Sequence, residues 1–174
     1  EIALIAETGT HVVHCPTSNL KLASGYCPVA KLQHAGVCVA IGTDGAASNN
    51  RLDMFDETRI ATLLAKHEQH DAAAGRAEDA VRMATLDGAK VLGIDHLTGS
   101  IEAGKAADLI SINTHSLGIM PMYNPFAAIV HGNAGNAVEH VLVNGQTLVD
   151  DGQFTRINFA ELAQRVESWH SAHA

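Results

Sequence analysis

Residues 37–50 read VCVAIGTDGAASNN, an apolar run that passes directly into a polar loop. Such a run is typical of a strand buried on both faces, as strands of parallel sheets are. A similar run, HVVHC, occupies residues 11–15 and ends at Pro16. Helical patterns at residues 2–6 and 28–35 precede the two runs. The order helix, strand, helix, strand predicts right-handed crossovers and an α/β fold with a parallel sheet.

The pattern changes along the rest of the chain. Two amphipathic helices are predicted at residues 52–70 and 78–92, each with one face in the core. Beyond Gly99 the sequence indicates a small β region, with strands at residues 108–112, 138–143 and 146–149 and a hairpin turn at Asn144-Gly145. An amphipathic helix from Phe159 to Trp169, capped by Asn158, is expected to end the chain. Residues 17–27 are predicted to be a loop.

The bulk composition limits the possible functions. The 174 residues are 47% hydrophobic and 17% charged, which is typical of a globular protein. The formal net charge of -8 is scattered, so no basic stripe is expected to bind nucleic acid. No apolar stretch is long enough for a membrane helix, and the start does not resemble a signal peptide. Three cysteines without C-x-x-C spacing favour a reducing, cytoplasmic location.

Asp44 is the residue most suited to chemistry. Functional groups of α/β folds collect in loops after the carboxyl ends of parallel strands, and Asp44 directly follows such a run. A carboxylate in this position can bind a metal and accept a proton from water that the metal acidifies. The structural alternative is that Asp44 caps the helix beginning near Leu52, or closes an Asp-Gly turn.

Further polar residues are expected near Asp44. His14 ends the preceding strand and can reach the same rim, with Ser18 and Asn19 in the loop that follows. We therefore take His14, Asn19 and Ser48 as candidate substrate-binding residues beside Asp44, the alternative for His14 being a structural hydrogen bond. The histidines at positions 67, 70, 170 and 173 are expected on the surface. Phosphate-binding glycine loops, nucleophile elbows and cytidine-deaminase motifs are absent from the sequence.

Three motifs carry a family resemblance. They are HCPTSNLKLASG at residues 14–25, GTDGAASNN at residues 42–50 and GSIEAGKAADL at residues 99–109. In this order they resemble the amidohydrolase superfamily, most closely the methylthioadenosine/S-adenosylhomocysteine deaminases, which are related to triazine chlorohydrolases and guanine deaminases. The resemblance covers almost the whole chain.

The resemblance implies a (β/α)8 TIM-type barrel with a small β-sandwich. Residues 1–93 would supply barrel strands seven and eight with their helices, residues 94–155 the C-terminal portion of the sandwich and its return to the barrel, and residues 156–174 a C-terminal helix. Asp44 matches the strand-eight aspartate, which ligates the metal, contacts the substrate and acts as the catalytic proton acceptor. The other ligands would precede Glu1, so the partner of this chain would be the N-terminal part of the same protein.

The implied reaction is the hydrolytic deamination of a purine nucleoside derivative, 5′-methylthioadenosine or S-adenosylhomocysteine, with release of ammonia. The cofactor would be one zinc ion per active site, or another divalent metal such as iron. Alternatives are a different small heteroaromatic substrate, guanine or a chlorotriazine, and a non-catalytic scaffold. A homo-oligomer is compatible with the resemblance, and the 174 residues alone are expected to be inactive.

Overall fold

Two sheets of different type organise the chain in the computed structural model, which describes residues 1–173. The first sheet pairs β1 (Val12–His14) with β2 (Val39–Ile41) in parallel, and His14 lies opposite Ile41. The second sheet is antiparallel, in the order β3-β4-β5-β6. Its strands are Leu109–Ile112, Val138–Val143, Gln146–Asp150 and Gln153–Phe154. The predicted succession of a parallel and an antiparallel region is therefore confirmed.

Eight α-helices surround these sheets in the described residues. They are α1 (Ile2–Glu7), α2 (Pro16–Lys21), α3 (Val29–His34), α4 (Met54–Gln69), α5 (Ala77–Ala84), α6 (Leu86–Val91), α7 (Pro125–His131) and α8 (Phe159–His173), and a 3-10 helix spans Ala134–Ala137.

Four of these helices differ from the sequence prediction. The segment predicted as a loop after Pro16 begins with α2, because proline at the first helical position fits a helix start. The helix predicted over residues 78–92 is two helices, interrupted at Thr85, whose φ of -125° and ψ of -93° are not helical. The unpredicted α7 begins at Pro125, where the Asn124 side chain accepts a hydrogen bond from the Ala127 amide.

The main core surrounds β2. Val39, Ala40 and Ile41 are all buried, as predicted for a strand covered on both faces. Their apolar neighbours come from the helices that flank the sheet, with Leu32 from α3 and Met83 from α5. The loop that follows Ile41 therefore starts from a rigid point.

The core-facing side of α4 differs in part from the apolar face predicted for this helix. Two apolar residues of the predicted helix, Leu52 and Leu63, have exposed fractions of 49% and 44%, whereas Phe55 and Ile60 are half-buried. The buried residues of α4 are instead small or polar: Glu57, Thr58, Ala61, Thr62 and Ala65. Small side chains let α4 approach the sheet and α5 closely, and this approach overrides the hydrophobic pattern.

The antiparallel sheet has the predicted hairpin. Asn144 and Gly145 connect β4 to β5 with φ values of 50° and 74°, the left-handed pair that a type I′ turn requires. Asp108 holds this turn, because its carboxylate accepts hydrogen bonds from the Asn144 amide at 2.7 Å and the Thr98 hydroxyl at 2.8 Å.

Helix α8 presents an apolar face to solvent. The Asn158 side chain caps it, as predicted, by accepting hydrogen bonds from the amides of Ala160 and Glu161. Phe159, Leu162, Val166 and Trp169 are all exposed. Across residues 1–173, none of the helices has the length and apolar character needed to cross a membrane.

Candidate functional site

Two segments meet at the carboxyl ends of β1 and β2. Because the strands are parallel, helix α2, which follows β1 after Cys15, and the loop over residues 42–53 leave the same edge of the sheet. Asp44 lies two residues beyond Gly42, whose amide still donates to the His14 carbonyl at 2.9 Å. The Asp44 side chain is exposed at this rim.

The Asp44 carboxylate is held by three donors. Its Oδ2 accepts hydrogen bonds from the Ser18 hydroxyl at 2.7 Å and the Ser48 hydroxyl at 2.9 Å, and its Oδ1 accepts one from the Gly45 amide at 2.8 Å. The Ser18 bond, followed by those from Gly45 and Ser48, holds the pKa of Asp44 below its usual value. Two donors fill the lone-pair sites of Oδ2, whereas Oδ1 keeps one site for a further ligand.

The helix-capping alternative for Asp44 is wrong. Helix α4 begins at Met54, and its cap is Asp53, whose side chain accepts from the Phe55 and Asp56 amides. The turn alternative correctly describes the backbone, because Asp44 has a φ of 58° and leads into a turn closed by the Ser48 amide and the Gly45 carbonyl. This turn leaves the carboxylate at the rim.

His14 lies beneath the rim rather than on it. Only 1% of its surface is exposed, and neither ring nitrogen has a hydrogen-bond partner within residues 1–173. Burial lowers the pKa of His14, against a smaller opposite effect of the Glu57 charge. The imidazole is therefore neutral at neutral pH.

A buried polar network under α2 and the loop over residues 42–53 was not predicted from the sequence. Glu57, with 1% exposure, accepts a hydrogen bond from the Thr17 amide at 3.0 Å through Oε2 and one from the Asn49 side chain at 2.7 Å through Oε1. The same Asn49 nitrogen donates to the Thr43 carbonyl at 2.9 Å. One feature of the sequence could have indicated that Glu57 is buried. It lies four residues before Ala61, and therefore on the same helix face as the small residues that α4 buries.

The remaining predicted residue, Asn19, is half-buried in α2, where its backbone amide donates to the Cys15 carbonyl at 3.1 Å. Lys21, which was not predicted to belong to the site, joins the end of α2 to the loop over residues 42–53. Its ammonium donates to the Ala47 carbonyl at 3.0 Å and the Asn50 side chain at 2.7 Å.

The donor chemistry at Asp44 fits a zinc ligand, because zinc takes carboxylate oxygens and Asp44 is ionised with a free site on Oδ1. Cys15 is not a comparable donor, because burial and the neighbouring Asp44 charge raise the pKa of its thiol. Within residues 1–173 no group of three or more His, Cys, Asp or Glu side chains is arranged around a common metal position. Asp44 can therefore supply one ligand of such a site.

Comparison with known proteins gives a consistent result. The model of the amidohydrolase family matches residues 1–148. A 5-methylthioadenosine/S-adenosylhomocysteine deaminase from Teredinibacter turnerae is 48% identical over 169 residues, which are 97% of this chain and 38% of that protein. The chain thus spans well under half the length of this relative.

Solved structures agree in fold. An adenosine deaminase from Xanthomonas campestris with bound zinc superposes with a TM-score of 0.94 at 43% identity, over 98% of this chain and 39% of that one. The atrazine chlorohydrolase of Arthrobacter aurescens complexed with zinc gives a TM-score of 0.88 at 26% identity, over 97% and 37% of the two chains. These neighbours have a TIM-barrel-type fold. The chain belongs to the amidohydrolase family.

Proposed function

We propose that this chain is the C-terminal part of a zinc-dependent hydrolase that deaminates 5′-methylthioadenosine and S-adenosylhomocysteine. The identity of 48% to a deaminase of that name supports the substrate class, and the zinc in the adenosine deaminase neighbour supports the metal. We assign β1 and β2 to the last two strands of a (β/α)8 barrel, residues 94–155 to part of a β-sandwich and residues 156–174 to a terminal helix.

The proposal depends chiefly on the Asp44 carboxylate. It lies at the carboxyl end of β2, is exposed, and is ionised and oriented by the Ser18 and Ser48 hydroxyls. An ionised carboxylate in this position can act as a metal ligand through Oδ1, and as a general base once one serine hydroxyl frees a site on Oδ2.

The residues of this chain have defined tasks in the proposed reaction. When bound, zinc supplies Lewis acidity that makes water a better nucleophile at neutral pH. Asp44 would hold the metal through the free site on Oδ1 and accept a proton at Oδ2, where one serine hydroxyl would turn from donor to acceptor. The remaining bond to Oδ2 would keep the group from rotating. His14, Asn19 and Ser48 remain predicted substrate contacts, and we expect Ser48 to serve mainly by fixing Asp44.

Substitution of Asp44 by Asn in the full-length protein tests the proposal. The hydroxyls of Ser18 and Ser48 can donate or accept, so the amide fits the loop, but its charge and basicity are lost. We expect ammonia release from 5′-methylthioadenosine to fall by at least about 100-fold, because general base catalysis contributes about 10²–10⁴-fold. Thermal unfolding should change little.

Asp53→Asn is the matched control, because asparagine caps a helix as well as aspartate does. It should keep both activity and stability. Near-normal turnover by Asp44→Asn would contradict the assignment of Asp44.

A substrate panel separates the alternatives. Full-length protein is assayed for ammonia release from 5′-methylthioadenosine, S-adenosylhomocysteine and guanine, and for loss of chloride from a chlorotriazine. Preference for guanine or the triazine would change the substrate class, whereas no turnover by a zinc-loaded protein would favour the scaffold alternative. Metal analysis of the same preparation tests the expected single zinc per site, and sedimentation tests the homo-oligomer. A cytoplasmic location is also part of the proposal.

A further inference from the structure

Glu57 is a buried carboxylate without a cationic partner. Its exposed fraction is 1%, and no Lys, Arg or His of residues 1–173 forms an ion pair with it. Burial of a charge is costly unless hydrogen bonds offset it. The position of Glu57 in the first turns of α4, near the positive end of the helix dipole, and two donors from outside the helix supply that compensation.

The two oxygens of Glu57 reach two different segments. Oε2 accepts from the Thr17 amide in the first turn of α2, and Oε1 accepts from the Asn49 side chain in the loop after β2. The Asn49 nitrogen extends this connection to the Thr43 carbonyl. Glu57 therefore fixes the separation of α2 and this loop from below.

Each group bound by this network is one residue away from a group at the Asp44 carboxylate. Thr17 precedes Ser18 and Asn49 follows Ser48, and these two serines hold Oδ2 of Asp44. Thr43 precedes Asp44 itself. A shift of α2 or of the loop after β2 changes the direction of a hydrogen bond to Asp44, because the neighbouring peptide units are rigid.

We propose that Glu57 is a positioning residue for Asp44, acting through Thr17, Asn49 and Thr43 without touching the metal or substrate. This inference rests on the proposed function. It differs from a purely structural role, in which Glu57 would hold α4 against the sheet without affecting the carboxylate above it.

Glu57→Gln in the full-length, zinc-loaded protein tests the inference. Glutamine keeps the shape, but its carbonyl accepts only one of the two donors and its amide group faces the other. Groups that orient a metal ligand from outside typically affect metal affinity or activity by about 10–100-fold. We expect kcat for 5′-methylthioadenosine to fall by at least about 10-fold, with a smaller change in KM and faster loss of zinc to a chelator.

Glu68→Gln is the matched control. Glu68 lies on the same helix, and its side chain is 11% exposed. Its carboxylate faces Lys31 at 3.8 Å and not α2 or the loop after β2. The control should keep kcat and zinc retention even if the melting temperature falls. If Glu57→Gln and Glu68→Gln lower the melting temperature equally but only Glu57→Gln loses kcat and zinc, the loss is due to positioning and not to folding.

Asn49→Ala gives an independent check, because it breaks the link to Thr43 while the Thr17 contact remains. The inference predicts the same selective loss of kcat and zinc retention. Normal kcat and zinc retention in a folded Glu57→Gln variant would establish a structural role and overturn the inference. Failure of both Glu57→Gln and Asn49→Ala to give folded protein would do the same. Failure of the proposed function appears separately, as an inactive unsubstituted protein or an active Asp44→Asn variant.

Discussion

The acidic residues of this chain differ in what their hydrogen bonds achieve. At Asp44 the donors keep an exposed carboxylate ionised and oriented, and at Glu57 they make burial tolerable. At Asp108 they join a loop to a hairpin. The same type of bond thus serves chemistry in one place and stability in another, depending on whether the carboxylate lies at the carboxyl ends of the parallel strands.

The stabilising effect of Asp108 should depend on pH. Hydrogen bonds from the Asn144 amide and, to a smaller extent, from the Thr98 hydroxyl hold the pKa of Asp108 below its usual value in the folded state. The folded state therefore binds the proton less readily than the unfolded state does. The stabilisation is complete above the unfolded pKa of about 4 and is lost as pH falls through the folded pKa.

We expect Asp108→Asn to lower the melting temperature at neutral pH, because bonds to a charged acceptor are stronger than bonds to an amide. The difference from the unsubstituted protein should shrink below about pH 4, and calorimetry at several pH values measures it. A difference that is constant with pH would mean that the charge contributes nothing.

At the scale of elements, the close approach of α4 depends on small residues on both sides. Gly75, just before α5, has a φ of +55°, and a Cβ added there would lie 2.8 Å from the Thr62 carbonyl oxygen and 3.0 Å from Ala65 Cβ. Thr62 and Ala65 belong to the buried face of α4. Glycine is therefore required at position 75 by both conformation and space.

Gly75→Ala should lower the free energy of unfolding by at least about 2 kcal/mol, combining left-handed strain with overpacking. Gly36→Ala is the control, because Gly36 has a φ of +81° but no atom within 4 Å of an added Cβ. It should cost about 1 kcal/mol. Denaturant unfolding measures both variants, and equal losses would show that crowding against α4 is unimportant.

The elements also show which features the sequence could predict. The strands other than β6, the Asn144-Gly145 turn and the position of Asp44 after β2 were predicted, because each depends on a local pattern of apolar and turn residues. Glu57 was not, because a glutamate in a helix is ordinarily exposed, and its burial depends on how closely α4 approaches α2 and the loop after β2. The substrate contacts proposed for His14, Asn19 and Ser48 depend on geometry of still longer range, and they stay predictions.

At the scale of the whole molecule, exposed apolar surface should make the 174 residues self-associate when they are produced alone. The apolar face of α8 and the edges of β1 and β2 are open in residues 1–173. Such surfaces promote association. Sedimentation velocity should show a mass that increases with concentration.

Removal of residues 159–174 should weaken this association without abolishing it, because the strand edges remain. A strictly monomeric 174-residue chain at all concentrations would contradict the expectation. Full-length protein provides the comparison.

The parallel pair has a geometric consequence. Among the described residues each of its strands has a single neighbour, so the sheet can be extended only by adding one strand beside β1 and another beside β2. In a closed barrel, the added strands must therefore pair with the outer edge of β1 and with the outer edge of β2. The tilt of those added strands would set the width of the mouth into which Asp44 opens.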